Sequence, residues 1–170
     1  MSLSVPFLVS GLVLAICFAT APTAAKQIAS QGKWTAHETD AKSGKVCYLY
    51  SLPERKGGDV KNRGEVHIYV THRPKEKVRN EVSIAAGYTY KEAANVAVDI
   101  DGKKFTLFTR GPMAWARDAA MDTALVRAMS SGKRMIVRGS SSKGGNSTDT
   151  YSLAGFGAVY KSIGKACGVE

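Results

Sequence analysis

The chain is poor in the residues that most often carry chemistry. There is no Gly-x-Ser-x-Gly elbow, no His-Glu-x-x-His pair and no Gly-Lys-Ser/Thr phosphate loop. Serine hydrolases, zinc peptidases and phosphate-loop nucleotidases of the familiar kinds are therefore unsupported. Histidine occurs three times, at His37, His67 and His72. His67 and His72 lie five apart on one expected strand, project to opposite faces and cannot share a metal without distortion. All three read as surface or rim histidines, and neither a metal nor a cofactor is expected. Carboxylates stand at Asp99, Asp101, Asp118, Asp122 and Asp149, but Asp101 suits a turn, Asp118 a helix cap and Asp149 a threonine-flanked strand. No hydrolytic pair emerges.

Charge is missing altogether from Met1 to Ala25. That stretch instead holds an apolar run from Val5 to Thr20 and the small residues Ala24-Ala25, the pattern of a signal peptide (1–25) cleaved after Ala25. No Lys or Arg precedes the run, and because it approaches the lower length limit of a spanning helix, an uncleaved anchor stays open. The net charge of +10 therefore sits wholly on residues 26–170, read as a single domain. A basic surface favours anionic partners. Sec-type export to the periplasm or outer membrane excludes nucleic acid and leaves anionic outer-membrane or host-surface components. No residue pattern sets an oligomeric state.

Cys47 and Cys167 remain after cleavage, an even pair in an oxidising compartment. Either they form a disulfide joining the two ends of the domain or they are separate buried thiols. No His or carboxylate adjoins either at zinc spacing.

Hydrophobic alternation predicts the strands. Lys33 to Thr39 has Trp34 and Ala36 on one face. Val46 to Leu52 sets Val46, Tyr48 and Tyr50 against Cys47, Leu49 and Ser51, and Val66 to Thr71 and Asn80 to Ala86 follow. Glu54 to Arg63 reads as a polar loop, and Gly87 to Asn95 fits no pattern clearly. Val96–Ile100 and Lys103–Phe108 flank Asp101-Gly102, a type I′ hairpin turn. Gly111 to Trp115 breaks the strand. Asp118 caps a helix to about Ser130, with Met121, Ala124, Leu125, Ala128 and Met129 on one stripe. Lys133–Gly139, a Ser/Gly loop (Ser140 to Ser147) and Thr148–Leu153 form a strand pair. A closing helix has Phe156, Val159, Tyr160, Ile163 and Cys167 on one side. The sum is a mainly β fold, an antiparallel sandwich of about eight strands with two short helices in the C-terminal half.

Two kinds of site follow. Arg73, Lys75, Lys77 and Arg79, with Arg134 and Arg138 on the strand face opposite Met135 and Val137, form either a solvated exterior or an anion-binding surface. The Ser140–Ser147 loop, with Lys143, is either an ordinary hairpin loop or an anion cradle.

The chain also resembles the invasion-associated locus B family of exported bacterial proteins over roughly Gly32 to Val169. The likeness rests on Lys33-Trp34-Thr35, Val46-Cys47-Tyr48, Thr71-His72-Arg73-Pro74, Ile100-Asp101-Gly102-Lys103-Lys104-Phe105, Ala114-Trp115, Met135–Gly139 and Asp149-Thr150-Tyr151-Ser152-Leu153-Ala154-Gly155-Phe156. The resemblance implies a periplasmic or outer-membrane-associated protein, some of whose relatives are linked to host-cell entry, with no activity or cofactor to carry over. Where many members have another cysteine, this chain has Thr35-Ala36-His37, which implies one bridge at most. Ala154 replaces the serine that often precedes Gly-Phe, removing a helix cap.

The expected function is therefore a non-catalytic envelope protein docking through a basic surface. The alternative is a periplasmic small-ligand-binding protein or hydrolase with a pocket between sheets, near Trp115 and Lys143 of the Ser/Gly loop.

Overall fold

The computed structural model describes residues 24–169. The apolar run and nearly all of the expected leader lie outside them. The strands are β1 (Lys26–Gln31), β2 (Trp34–Ala41), β3 (Gly44–Ser51), β4 (Arg55–Gly58), β5 (His67–Arg73), β6 (Val78–Ala85), β7 (Asn95–Ile100), β8 (Lys103–Arg110), β9 (Met113–Trp115), β10 (Arg134–Ser140) and β11 (Asn146–Ser152). The helices are α1 (Ala119–Ser131) and α2 (Phe156–Cys167), and Pro74–Glu76 forms a short 3-10 turn.

The antiparallel, mainly β class holds, but the described residues form eleven strands rather than about eight, and these make one hydrogen-bonded sheet. Its order is β1-β2-β3-β5-β6-β9-β8-β7-β10-β11-β4, with every pairing antiparallel. The three-residue β9 bridges the two large halves by pairing with both β6 and β8. The expectation that Gly111 to Trp115 simply breaks the strand missed this link, because Pro112 interrupts the alternation that β9 then resumes. The sheet bends back on itself: Trp34 Nε1 on β2 donates to the carbonyl of Ser152 on β11 at 2.9 Å.

Three further strands escaped alternation or were displaced from it. β4, Arg-Lys-Gly-Gly, carries no apolar side chain; the β11 edge organises it, with Glu54 N and Asp59 N donating to Thr150 O and Asn146 O at 2.8 and 3.0 Å. β1 has a register shift between Gln27 and Ala29 that destroys its two-residue period. β6 starts at Val78, inside the charged stretch, because the 3-10 turn at Pro74 reverses the chain early.

Inward positions of both halves feed one core. Trp34, Ala36, Leu49, Ile68 and Val70 on one side, and Val96, Val98, Met135 and Tyr151 on the other, are at most 1 % exposed. Each large side chain so buried contributes about 1.5–3 kcal/mol. Helix α2 packs on β1, β2, β3 and β5, and α1 on β6. The apolar stripe of α2 (Phe156, Val159, Ile163) carries Cys167 to β3, where it is disulfide-bonded to Cys47 across Cα atoms 6.0 Å apart. Phe156 meets Trp34 edge to face at 4.9 Å.

The expected caps behave as their chemistry requires. Asp118 Oδ1 accepts from Met121 N at 2.8 Å, satisfying an orphan donor of α1. In the hairpin turn Asp101 and Gly102 both have positive φ (48° and 93°). Helix α2 starts without a side-chain cap, at Gly155 with φ 88°, where an added Cβ would strike the backbone carbonyl of Gln31.

Candidate functional site

The core alternation decides which side chains face outward, and those residues form two unlike surfaces on the sheet. On β8, β7, β10, β11 and β4, cross-strand register aligns Lys104, Asp99, Ile136, Thr150 and Arg55 in one row. The adjacent row is Thr106, Ala97, Arg138, Thr148 and Gly57. Arg134 and Arg138 are exposed and project opposite the buried Met135 and Val137, as the alternation predicted. Asp99 is the acid in these rows. Its carboxylate is held below the usual range first by the Gly102 N–H and then by Lys104, with which it pairs at 3.1 Å.

The second basic cluster is different in kind and in place. It lies at the β5–β6 turn, and β6 is separated from β10 by β9, β8 and β7, so the two clusters are not one continuous patch. Arg73 is spent on intramolecular pairs, bidentate to Glu81 at 2.9 and 2.8 Å and bonded to Glu76 at 2.8 Å. The stem of Lys75 runs over Gly44. Lys77 caps the 3-10 turn in the left-handed region, with φ 58°.

The Ser/Gly loop does line a cavity of about 370 Å³, formed by Ser141, Ser142, Lys143 and Gly144 with Val60, Lys61, Asn62 and Gly87 to Thr89. Trp115 is not part of it. That residue lines a separate cavity of about 400 Å³ with Phe108, Glu81, Asp122 and Arg117. The two halves of the expected pocket are thus two sites. The loop's backbone donors are already used: Ser141 N binds Gly145 O, Ser142 N binds Thr89 O, and Gly144 N binds Ser141 O. Lys143 N binds Ser141 Oγ. An anion there would be met by the ammonium groups of Lys61 and Lys143 and by hydroxyls, not by a backbone cradle.

Three residues depart from the sequence reading. His72 is fully buried rather than on a rim; its Nδ1 accepts from Asn80 N at 3.1 Å. Burial first, and the charge of Arg79 second, lower its pKa to about 4. Asp149 is not explained by a threonine ladder. It is 2 % exposed and takes a two-pronged pair from Arg63 at 2.8 and 2.6 Å. Arg63, read as part of a polar loop, also donates to Ala86 O and lies 5.4 Å from the Tyr88 ring centre. A lone Arg in a glycine-bearing loop carries no signal of this partner, since 86 residues separate the two. Asp122 accepts from Val82 N at 2.9 Å, and burial pushes its pKa up to about 6.

No group of His, Cys, Asp or Glu among the described residues has the arrangement of a metal site. No helix among them is long and apolar enough to cross a membrane.

These features define a class: a disulfide-tied antiparallel β module with helices on its inner face and charged rows on its outer one. Residues 34–164 match the family model described as Invasion associated locus B (IalB) protein, and the chain belongs to that family. Searches of curated proteins and of solved structures return no match.

Proposed function

We propose that the protein is a non-catalytic module of the cell envelope, exported by its N-terminal segment and cleaved after Ala25, that docks on anionic envelope or host-surface components. The carrying observation is the net charge of +10 together with the outward rows that hold Lys104, Arg138 and Arg55 against Asp99, and Arg134 on the same face of β10 opposite Ser152. An anionic polymer or headgroup layer lying along β10 meets small neighbours there, Ala97, Thr148 and Gly57, so the guanidinium groups are sterically accessible. Family membership supports the compartment, and β1 starting at Lys26 is compatible with processing after Ala25.

The test is co-sedimentation of residues 26–170 with outer-membrane vesicles over a salt series. Binding should fall steeply as salt screens the contact. Reversing Arg134 and Arg138 to Glu should abolish most of it, whereas reversing Lys75, Lys77 and Arg79 should weaken it less. Absence of binding at low salt sinks the reading. A second reading, a small-anion binder, is favoured by the cavity between Lys61 and Lys143. It predicts saturable inorganic phosphate binding that Lys61→Ala with Lys143→Ala removes.

A further inference from the structure

The other half of the outer face carries a feature that charge does not explain. Cross-strand register aligns Thr35, Tyr50, Tyr69, Ser83, Trp115 and Phe108 in one row across β2, β3, β5, β6, β9 and β8. The neighbouring row places His37 opposite Tyr48. Ring centres lie 6.0 Å apart for Tyr50 and Tyr69, 5.7 Å for Tyr50 and His67, and 5.9 Å for Phe108 and Trp115. His37 is stacked against both Tyr48 and Tyr50, at 5.4 and 5.8 Å, and its two ring nitrogens are buried without a hydrogen-bond partner. Outward positions of a half-buried antiparallel sheet are ordinarily polar. Rings at so many of them call for a reason other than the core.

The cavity at the Trp115 end supplies the second observation. Its acids are held in place: Glu81 by Arg73 through both oxygens, Asp118 by Met121 N, and Asp122 by Val82 N. Arg110 and Arg117 line the same space. Each carboxylate keeps acceptor sites beyond those bonds, and each guanidinium offers donors. Three carboxylates meet two guanidiniums in the lining, and Arg73 offsets Glu81 from outside it, so neither sign of charge dominates the cavity.

We propose that this aromatic row and the cavity at its Trp115 end bind an uncharged glycan chain. The C–H faces of a sugar ring carry partial positive charge and stack on the negative faces of aromatic rings. Sugar hydroxyls both donate and accept, which suits fixed carboxylates beside guanidiniums. A lipid surface fits less well, because interfacial binding needs projecting apolar groups. Here Phe108, at 41 %, is the most exposed ring in the row, while the tyrosines lie against one another. The residues involved are not those of the basic rows, so this inference stands apart from docking by charge.

The experiment titrates the protein purified from the cell envelope with linear oligomers of N-acetylglucosamine and of glucose, following intrinsic fluorescence and ligand saturation-transfer NMR. Trp34 is 0 % exposed, so a change in emission reports Trp115. The expected result is saturable binding to at least one oligomer, unchanged when salt is raised to about 0.5 M, where charge-driven contacts are screened. Binding should weaken roughly tenfold in Trp115→Ala and also in Phe108→Ala and Tyr50→Ala, about one stacking contact each. Phe108 is the more exposed ring of the pair, so its variant, checked for wild-type thermal unfolding, guards against misreading an unfolded Trp115 variant. No saturable binding at millimolar oligomer overturns the proposal. So does binding that disappears with salt, or binding that survives unchanged in Phe108→Ala and Tyr50→Ala.

Discussion

On β2, β3 and β5 the outward positions hold His37, Tyr48, Tyr50, His67 and Tyr69, whereas on β7, β10 and β4 they hold Asp99, Arg134, Arg138 and Arg55. Inward, the same two regions bury the same kind of aliphatic and aromatic side chain in one cluster. The fastening differs as well. The tyrosine half is backed by α2 and tied to it by Cys47–Cys167, while the arginine half is locked by the Arg63–Asp149 pair, whose side chains are 9 % and 2 % exposed. One sheet thus presents a ring-rich, covalently braced region and a cationic, ionically braced one. The core specifies neither exterior, so each is free to serve a separate contact.

The largest expected effect removes the covalent brace. Cys47→Ala with Cys167→Ala opens a crosslink spanning 120 residues and should lower unfolding free energy by up to roughly 4–5 kcal/mol on the chain-entropy account. Urea unfolding checks it, and an unchanged midpoint would mean that α2 packing alone holds the tyrosine half.

The ionic brace comes next. Arg63→Met leaves the Asp149 carboxylate buried without its partner and should cost about 3–5 kcal/mol. Adding Asp149→Leu should restore much of that loss, because two apolar groups need no pairing. Calorimetry of the single and double variants decides the matter; a mild single variant would show that the two regions are not braced in different ways.

A smaller effect belongs to the link between the halves. Asp118→Ala removes the cap of α1, which packs on β6, and should cost about 1 kcal/mol by thermal unfolding.

The smallest is a cancellation. His72, with its pKa lowered to about 4 from 6.5, contributes stability present above 6.5 and lost as pH falls towards 4. Asp122, raised to about 6 from 3.8, acts in reverse, its contribution fully present below 3.8 and lost as pH rises through 6. Between pH 4 and 6 the two slopes oppose each other. Asp122→Asn should therefore make stability fall more steeply on acidification than in the wild type, as followed by unfolding at stepped pH. An unaltered slope would show that Asp122 does not titrate as its burial implies.

The sequence by itself determined whatever depends on near neighbours. Two-residue alternation assigned β3, β5 and β7 and set Arg134 and Arg138 opposite Met135 and Val137. The Asp101-Gly102 turn needs only its own backbone angles, and Asp118 caps a donor three residues away. Even the tyrosines were legible as one face of β3, and the even pair of cysteines pointed to the bridge that forms. Tertiary structure decided the rest, because the partners lie far apart along the chain. β4 exists only as an edge of β11. Arg63 acquires its meaning from Asp149, and His72 is buried beneath a helix that ends nearly a hundred residues later. The row that carries Tyr50 through Tyr69 to Trp115 and Phe108 depends on register across strands, which no local period encodes.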